Sequence, residues 1–326
     1  MAYSKNFLLN LYKTMVKIRN FELMAEKLFL EGELPGFLHL YIGEEAIATG
    51  VMANLRKDDF ITSTHRGHGH MIAKGADINR MMAELFGKTT GYCKGKGGSM
   101  HIADFSIGVL GANGVVGGGL PIAVGAGLGI KMKKAKQVVV AFFGDGASNT
   151  GAFHESLNFA SIYKLPIIFV VENNKFASTV RTKDTTSVEN ISDRAVSYGI
   201  PGISIDGNDV ITVCETAREI IKRAREGGGP SLLEAKTYRI KGHFVGAPEL
   251  YRDKKEVEKF WLNEPIKKFE KKLLELKMLN EIEKKKIWED SEKEIKEAVK
   301  FAKESHMPSG EEALTDLFVD DTGYDY

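Results

Sequence analysis

Apolar positions along this chain follow two periods, and the change between them marks out three stretches. From Phe7 to Glu31, the residues Leu8, Leu11, Met15, Ile18, Leu23 and Leu28 recur at helical spacing with acids and bases between them. That pattern predicts an amphipathic helix on the outside of the core. From Gly36 to Tyr238 come nearly all the glycine-rich turns and the short unbroken apolar runs. Two of these runs, Gln137 to Phe143 and Pro166 to Val171, are rich in Val, Ile and Phe and are separated by one helix-length segment. They read as buried strands, and the alternation of helix and strand predicts a doubly wound α/β architecture with a mainly parallel sheet. From Asp253 to Glu304 the composition shifts to Lys, Glu and Leu with Pro265 as a break, which predicts a helical tail packed through one apolar stripe. The expected organisation is a helical segment over 1–35, an α/β domain over 36–252 and a helical tail over 253–326.

Polar residues close both central runs. Gly144-Asp145-Gly146 ends the first and Asn173-Asn174 the second, with Asn174 lying 29 positions after Asp145. In open parallel sheets ligands sit beyond the carboxyl ends of the strands, where both clusters fall. Asp145 offers a hard carboxylate oxygen and Asn174 a neutral amide oxygen. With a main-chain carbonyl, a water and two phosphate oxygens they would complete the six-oxygen shell that Mg²⁺ prefers. Gly144 and Gly146 would let phosphates approach the backbone without a Cβ in the way. Taken alone, the tripeptide is an ordinary strand-ending turn. Two other phosphate motifs fail: Gly111-Ala-Asn-Gly114 has the wrong spacing for a dinucleotide fingerprint, and Met82 stands where a P-loop ending in Gly87-Lys88-Thr89 needs glycine.

The paired motif resembles the thiamin diphosphate signature. Gly144-Asp-Gly-Ala-Ser-Asn149 followed by Phe153-His-Glu-Ser-Leu-Asn158 is similar to one branch of that superfamily, the alpha subunit of the decarboxylating component of 2-oxoacid dehydrogenase complexes, acetoin dehydrogenase included. The likeness runs from about Gly36 to Arg252. It implies thiamin diphosphate and Mg²⁺ as cofactors, with Asp145, Asn174 and the main-chain oxygen of Phe176 on the metal. It implies coenzyme contacts from His65, Arg66, Gly114, Val116, Asp145, Gly146, Ala147, Asn174 and His243, with Val116 as the apolar wedge under the bent coenzyme. His243 and His39 match the active-site histidines. Ser99 and His101 lie in a glycine-rich loop near the same place, where contact with substrate and plain loop geometry account for them equally well. Core packing is the plain alternative for Val116. Histidines at 65, 68 and 70 also suggest zinc, but no fourth ligand accompanies them.

The same resemblance implies a reaction: cleavage of the carbon–carbon bond beside a substrate carbonyl and transfer of the acyl group to a lipoyl group on an acyltransferase component. It also implies a beta subunit, in an assembly of two alpha and two beta chains, because this chain has no second α/β module to supply the glutamate that the coenzyme needs. Pyruvate, acetoin and branched 2-oxoacids remain open as substrates, and a non-catalytic diphosphate-binding module remains the rival reading. Ala247 stands where the family usually has aspartate. Composition adds limits: 45 basic against 44 acidic residues give no overall electrostatic reason to bind nucleic acid or an anionic membrane. Cys93 and Cys214 are in no metal or redox spacing, and the first residues lack a signal-peptide core, so a cytoplasmic protein is expected.

Overall fold

The computed structural model describes residues 3–316 and is built on one six-stranded sheet. Its strands are β1 (Phe60–Thr64), β2 (Val109–Asn113), β3 (Val139–Gly144), β4 (Ile167–Asn173), β7 (Gly202–Asp206) and β8 (Ser231–Lys236), in the order β2-β1-β3-β4-β8-β7 and all parallel. A short antiparallel hairpin, β5 (Phe176–Ala177) and β6 (Val180–Arg181), follows β4. The two apolar runs are the sheet's two central strands, buried along their length as both faces of a parallel sheet require. Period-two geometry sorts their side chains. Val138, Val140, Phe142, Ile168 and Val170 enter one core, while Val139, Ala141, Phe143, Ile167 and Phe169 enter another.

Helices cover both faces, as expected of a doubly wound fold. On one side lie α1 (Lys5–Leu30), α2 (Glu45–Met52), α3 (His68–Lys74), α4 (Ile78–Leu85) and α8 (Val210–Arg225); on the other lie α5 (Gly119–Met132) and α6 (Gly151–Ile162). A one-turn helix, α7 (Thr182–Thr185), follows β6. The tail forms α9 (Lys254–Leu262), α10 (Pro265–Glu275) and α11 (Glu281–Glu304). Residues 317–326 of the expected tail lie outside the described residues. Among the described residues no helix is long and apolar enough to cross a membrane.

α1 is amphipathic as expected, and one residue of its inner face needs correction. Ile18, Phe21 and Ala25 are fully buried, and the helix packs against α2, α3, α10 and α11. Its buried face takes in Glu22 rather than Leu23, because the Glu22 carboxylate accepts from the Tyr41 N–H (3.0 Å) and meets His68 Nδ1 (3.0 Å). The tail packs through an apolar stripe, as expected, with Ile266, Phe269 and Leu273 of α10 and Ile295 of α11 buried. Pro265 opens α10, where a missing N–H costs nothing. Glu264 just before it accepts from Arg19 of α1 at 2.8 Å, and α11 packs on α4.

Candidate active site

Parallel strands place all their carboxyl ends along one edge of the sheet, and the polar residues that follow β1, β2, β3 and β4 meet there. His65 and Arg66 follow β1, Gly114 and Val116 follow β2, Asp145 follows β3 and Asn174 follows β4. The register Gly144↔Glu172 keeps the ends of β3 and β4 level, which sets the two motif residues side by side although 29 positions separate them. These residues, together with Gly146, Ala147, Phe176, His39 and His243, line a single cavity of about 400 Å³. That volume lies in the range of small-molecule sites. Every coenzyme and metal residue implied by the sequence is therefore on one wall or another of the same pocket.

One half of the cavity is a set of oxygen donors. Asp145 is buried and its carboxylate accepts from Thr182 Oγ1. Burial raises its pKa above the ordinary carboxylate value, and the Thr182 hydrogen bond opposes the shift. A buried carboxylate of this kind gains most from a cation. The Asn174 amide donates through Nδ2 to Glu44 Oε1 (2.9 Å), which leaves Oδ1, an acceptor for the Phe176 N–H at 3.3 Å, with a second lone pair. The Phe176 carbonyl accepts from Arg239 Nη1 at 3.2 Å and likewise keeps a lone pair. An all-oxygen group of this composition suits Mg²⁺.

The other half is cationic. Arg66 donates to the carbonyls of Leu40 and His243, and its nearest carboxylate, that of Glu44, is 3.8 Å from Nε. Arg239 donates to the Phe176 and Ser178 carbonyls and the Tyr251 hydroxyl, all neutral, and its buried Nε has no partner among the described residues. Buried guanidiniums are ordinarily matched by acids. Here one acid, Glu44, faces two guanidiniums whose hydrogen bonds go to neutral acceptors, one of them with an orphaned donor, and that excess of positive charge fits a bound anion such as a diphosphate.

Three imidazoles complete this wall. His39, His65 and His243 bring ring nitrogens within 4.8 Å of one another. His39 Nδ1 lies 2.7 Å from the His243 carbonyl, which can only accept, so His39 carries its proton on Nδ1 and presents a bare Nε2. Burial and the charge of Arg66 hold all three rings neutral: His39 is lowered to about 4, His65 to about 2 and His243 to about 3. Three neutral imidazoles are also a transition-metal set, but the guanidiniums beside them favour an anion over a cation.

His65, His68 and His70 do not converge, in keeping with the sequence reading against zinc there. His68 is held by Glu22 and Ser99, while His70 is held by Ser63 and Glu172, so only His65 faces the cavity. Ser99 is thus a partner of His68, and His101 Nδ1 lies 3.2 Å from the Ala112 carbonyl; of that loop only Met100 reaches the cavity wall. Val116 is about half exposed at the cavity mouth, which removes core packing as its role. Gly146 is glycine for a reason the sequence did not show. A Cβ there would lie 2.9 Å from the Ala177 Cβ, whereas one on Gly144 meets nothing within 4 Å. Glu44, Glu172, Thr182 and Arg239 were all missed. Three of them left a trace, each being a charge inside an apolar run: Glu44 after Leu40-Tyr-Ile-Gly43, Glu172 after Ile167-Ile-Phe-Val-Val171, and Arg239 between Tyr238 and Ile240. Thr182 left none.

Comparison with known proteins agrees with this geometry. Residues 13–311 match the family model described as dehydrogenase E1 component. The chain belongs to the dehydrogenase E1 component family. Members of this family are generally thiamin diphosphate-dependent oxidoreductases. This E1 chain is 50% identical over 310 residues to the alpha subunit of acetoin:2,6-dichlorophenolindophenol oxidoreductase of Bacillus subtilis, covering 95% of this chain and 92% of that one. Its counterpart in Cupriavidus necator is 46% identical, over 97% of this chain and 95% of the relative. The alpha-3 subunit of the chloroplastic pyruvate dehydrogenase E1 component of Arabidopsis thaliana is 42% identical, over 97% of this chain and 75% of the relative. The E1 chain is thus an alpha subunit of the 2-oxoacid or acetoin dehydrogenase type.

Proposed function

We propose that this chain is the alpha subunit of a thiamin diphosphate- and Mg²⁺-dependent acetoin dehydrogenase. The observation that carries the reading is the cavity itself, in which two buried guanidiniums, hydrogen-bonded to neutral acceptors, face an all-oxygen donor set across the level ends of β3 and β4. The acetoin-named relatives, at 50% and 46% identity against 42% for the pyruvate enzyme, favour acetoin as substrate. Pyruvate is the second reading, supported by that third relative.

Asp145, Asn174 and the Phe176 carbonyl would hold Mg²⁺. Arg66, Arg239, His65 and His243 would face the diphosphate, with Gly146 and Ala147 presenting backbone to it. Gly114 would lend its carbonyl to the aminopyrimidine, and Val116 would pack against the coenzyme. When bound, the coenzyme supplies a carbon nucleophile for the substrate carbonyl and an electron sink for the pair released from the adjacent bond. His39 then has a defined task. With acetoin, the bond that breaks joins the carbonyl carbon to the hydroxyl-bearing carbon. Its bare Nε2 accepts the hydroxyl proton as acetaldehyde leaves.

The acyl group passes to a lipoyl group of an acyltransferase component. A beta subunit completes the site in an assembly of two alpha and two beta chains. Exposed apolar residues suit such a partner: Val115 and Val116 at the cavity mouth, Ile122 and Met132 of α5, and Ile162 of α6 all face solvent in this chain. The test is to assay the chain with its beta subunit, thiamin diphosphate and Mg²⁺ against acetoin and pyruvate. Acetoin is expected to be turned over faster, and Asp145→Ala to abolish the response to Mg²⁺. Faster turnover of pyruvate reassigns the substrate, and activity indifferent to thiamin diphosphate ends the proposal.

A further inference from the structure

Glu44 is a buried acid that none of the roles above uses, and it stands where the two halves of the cavity join. It follows Gly43, where φ is +101° and any Cβ would lie 2.8 Å from the Tyr238 carbonyl oxygen, so the backbone has no freedom there. Glu45 turns the other way, to Arg19 at 2.6 Å, so the adjacent acids serve opposite sides of α2. Glu44 turns into the cavity and touches both halves. Its Oε1 accepts from Asn174 Nδ2 at 2.9 Å and lies 3.8 Å from Arg66 Nε, and all three side chains are buried.

We propose that Glu44 is the positioning residue of the metal–diphosphate site, fixing the Asn174 amide with Oδ1 available to the metal and holding the Arg66 guanidinium at the anion wall. The physical case rests on what a flipped amide would meet. Turned over, Asn174 would set its NH₂ against the Phe176 N–H and its carbonyl against the Glu44 oxygen, two repulsive contacts in place of two hydrogen bonds. Without an acceptor at position 44 only the long Phe176 N–H contact is left to hold that preference, and more of the amides would present a donor to the cation. On the other side, Glu44 is the acid nearest to Arg66, with no hydrogen bond between them. Close enough to orient the guanidinium and too far to consume its donors, it leaves the N–H groups of Arg66 not taken by the Leu40 and His243 carbonyls for phosphate oxygens. This rests on the proposed reading of the cavity and adds to it a residue outside the paired motif.

The experiment uses the chain purified with its beta subunit, with thermal unfolding followed as Mg²⁺ is titrated at fixed thiamin diphosphate. Wild type tests the cavity reading: no coenzyme-dependent rise in melting temperature at any Mg²⁺ concentration defeats that reading, and this inference with it. Given that rise, Glu44→Leu is expected to increase the Mg²⁺ concentration for half-maximal effect about tenfold, equivalent to about 1.4 kcal/mol. Glu44→Asp keeps the carboxyl group, is the safer variant for folding and withdraws the oxygen from Asn174; it is expected to shift the Mg²⁺ midpoint in the same direction. Glu44→Gln retains a carbonyl acceptor for Asn174 and is expected to restore most of the Mg²⁺ response. If Leu and Asp variants lower the melting temperature of the coenzyme-free protein but leave the Mg²⁺ midpoint unchanged, Glu44 is structural only and the inference is overturned.

Discussion

The histidines at 39, 65 and 243 show how strongly a buried site reshapes a side chain's chemistry. Each is a far weaker base than free imidazole because burial and the Arg66 charge both oppose protonation. The unfolded chain, with imidazoles near pH 6.5, therefore binds more protons than the folded chain between about pH 6.5 and 4. Their contribution to stability is complete above about pH 6.5 and is lost as the pH falls towards the folded values. Urea denaturation of the coenzyme-free protein is expected to show stability declining over that window, with a shallower decline in His39→Gln, whose amide does not titrate. Parallel pH profiles for wild type and variant would disprove this account.

At the level of elements, the loop after α4 depends on one carboxylate. Glu84, fully buried at the end of α4, accepts from the backbone N–H groups of Cys93 (2.8 Å), Gly95 (3.0 Å), Gly97 (2.9 Å) and Gly98 (3.0 Å). The glycines are needed because the chain wraps so closely: a Cβ on Gly95, at φ +79°, would lie 2.4 Å from the Gly87 backbone. This loop carries Met100 to the cavity wall, which ties a structural anchor to the site. Glu84→Gln turns one acceptor oxygen into a donor facing two N–H groups. Leaving such buried groups unsatisfied is expected to cost on the order of 3 kcal/mol, measured by urea denaturation. A loss under about 1 kcal/mol would show that the loop holds its shape by other means.

For the molecule as a whole, exposed apolar residues run along α5 from Ile122, in the first turn beside Gly119 and Leu120 of the cavity wall, to Met132 at its far end, with Ile162 at the end of α6. Under the proposed assembly, a beta subunit covers this face and closes the coenzyme site. Ile122→Arg with Ile162→Arg changes only exposed positions, so the chain is expected to fold with an unchanged melting temperature. It is expected to lose the beta subunit on co-purification. Retention of that partner by the double variant would place the interface elsewhere.

Much of this could be read from the order of residues alone. Strand-length apolar runs gave the central strands, polar closures gave the end of the sheet where the cavity lies, and the spacing of Asp145 and Asn174 gave its chemistry. Every residue expected at the coenzyme site lines the cavity, because motif residues sit at fixed offsets from strand ends and those ends are set by local pattern. What only the tertiary structure decided is how distant segments share a buried space. Glu44 reaches Asn174 across 130 positions, Arg239 reaches the Phe176 carbonyl across 63, and Thr182 reaches Asp145 across 37. The same holds for Glu22 in place of Leu23 on the inner face of α1. A side chain's burial and charge state depend on which partners the fold brings to it, and no local period in the chain encodes those partners.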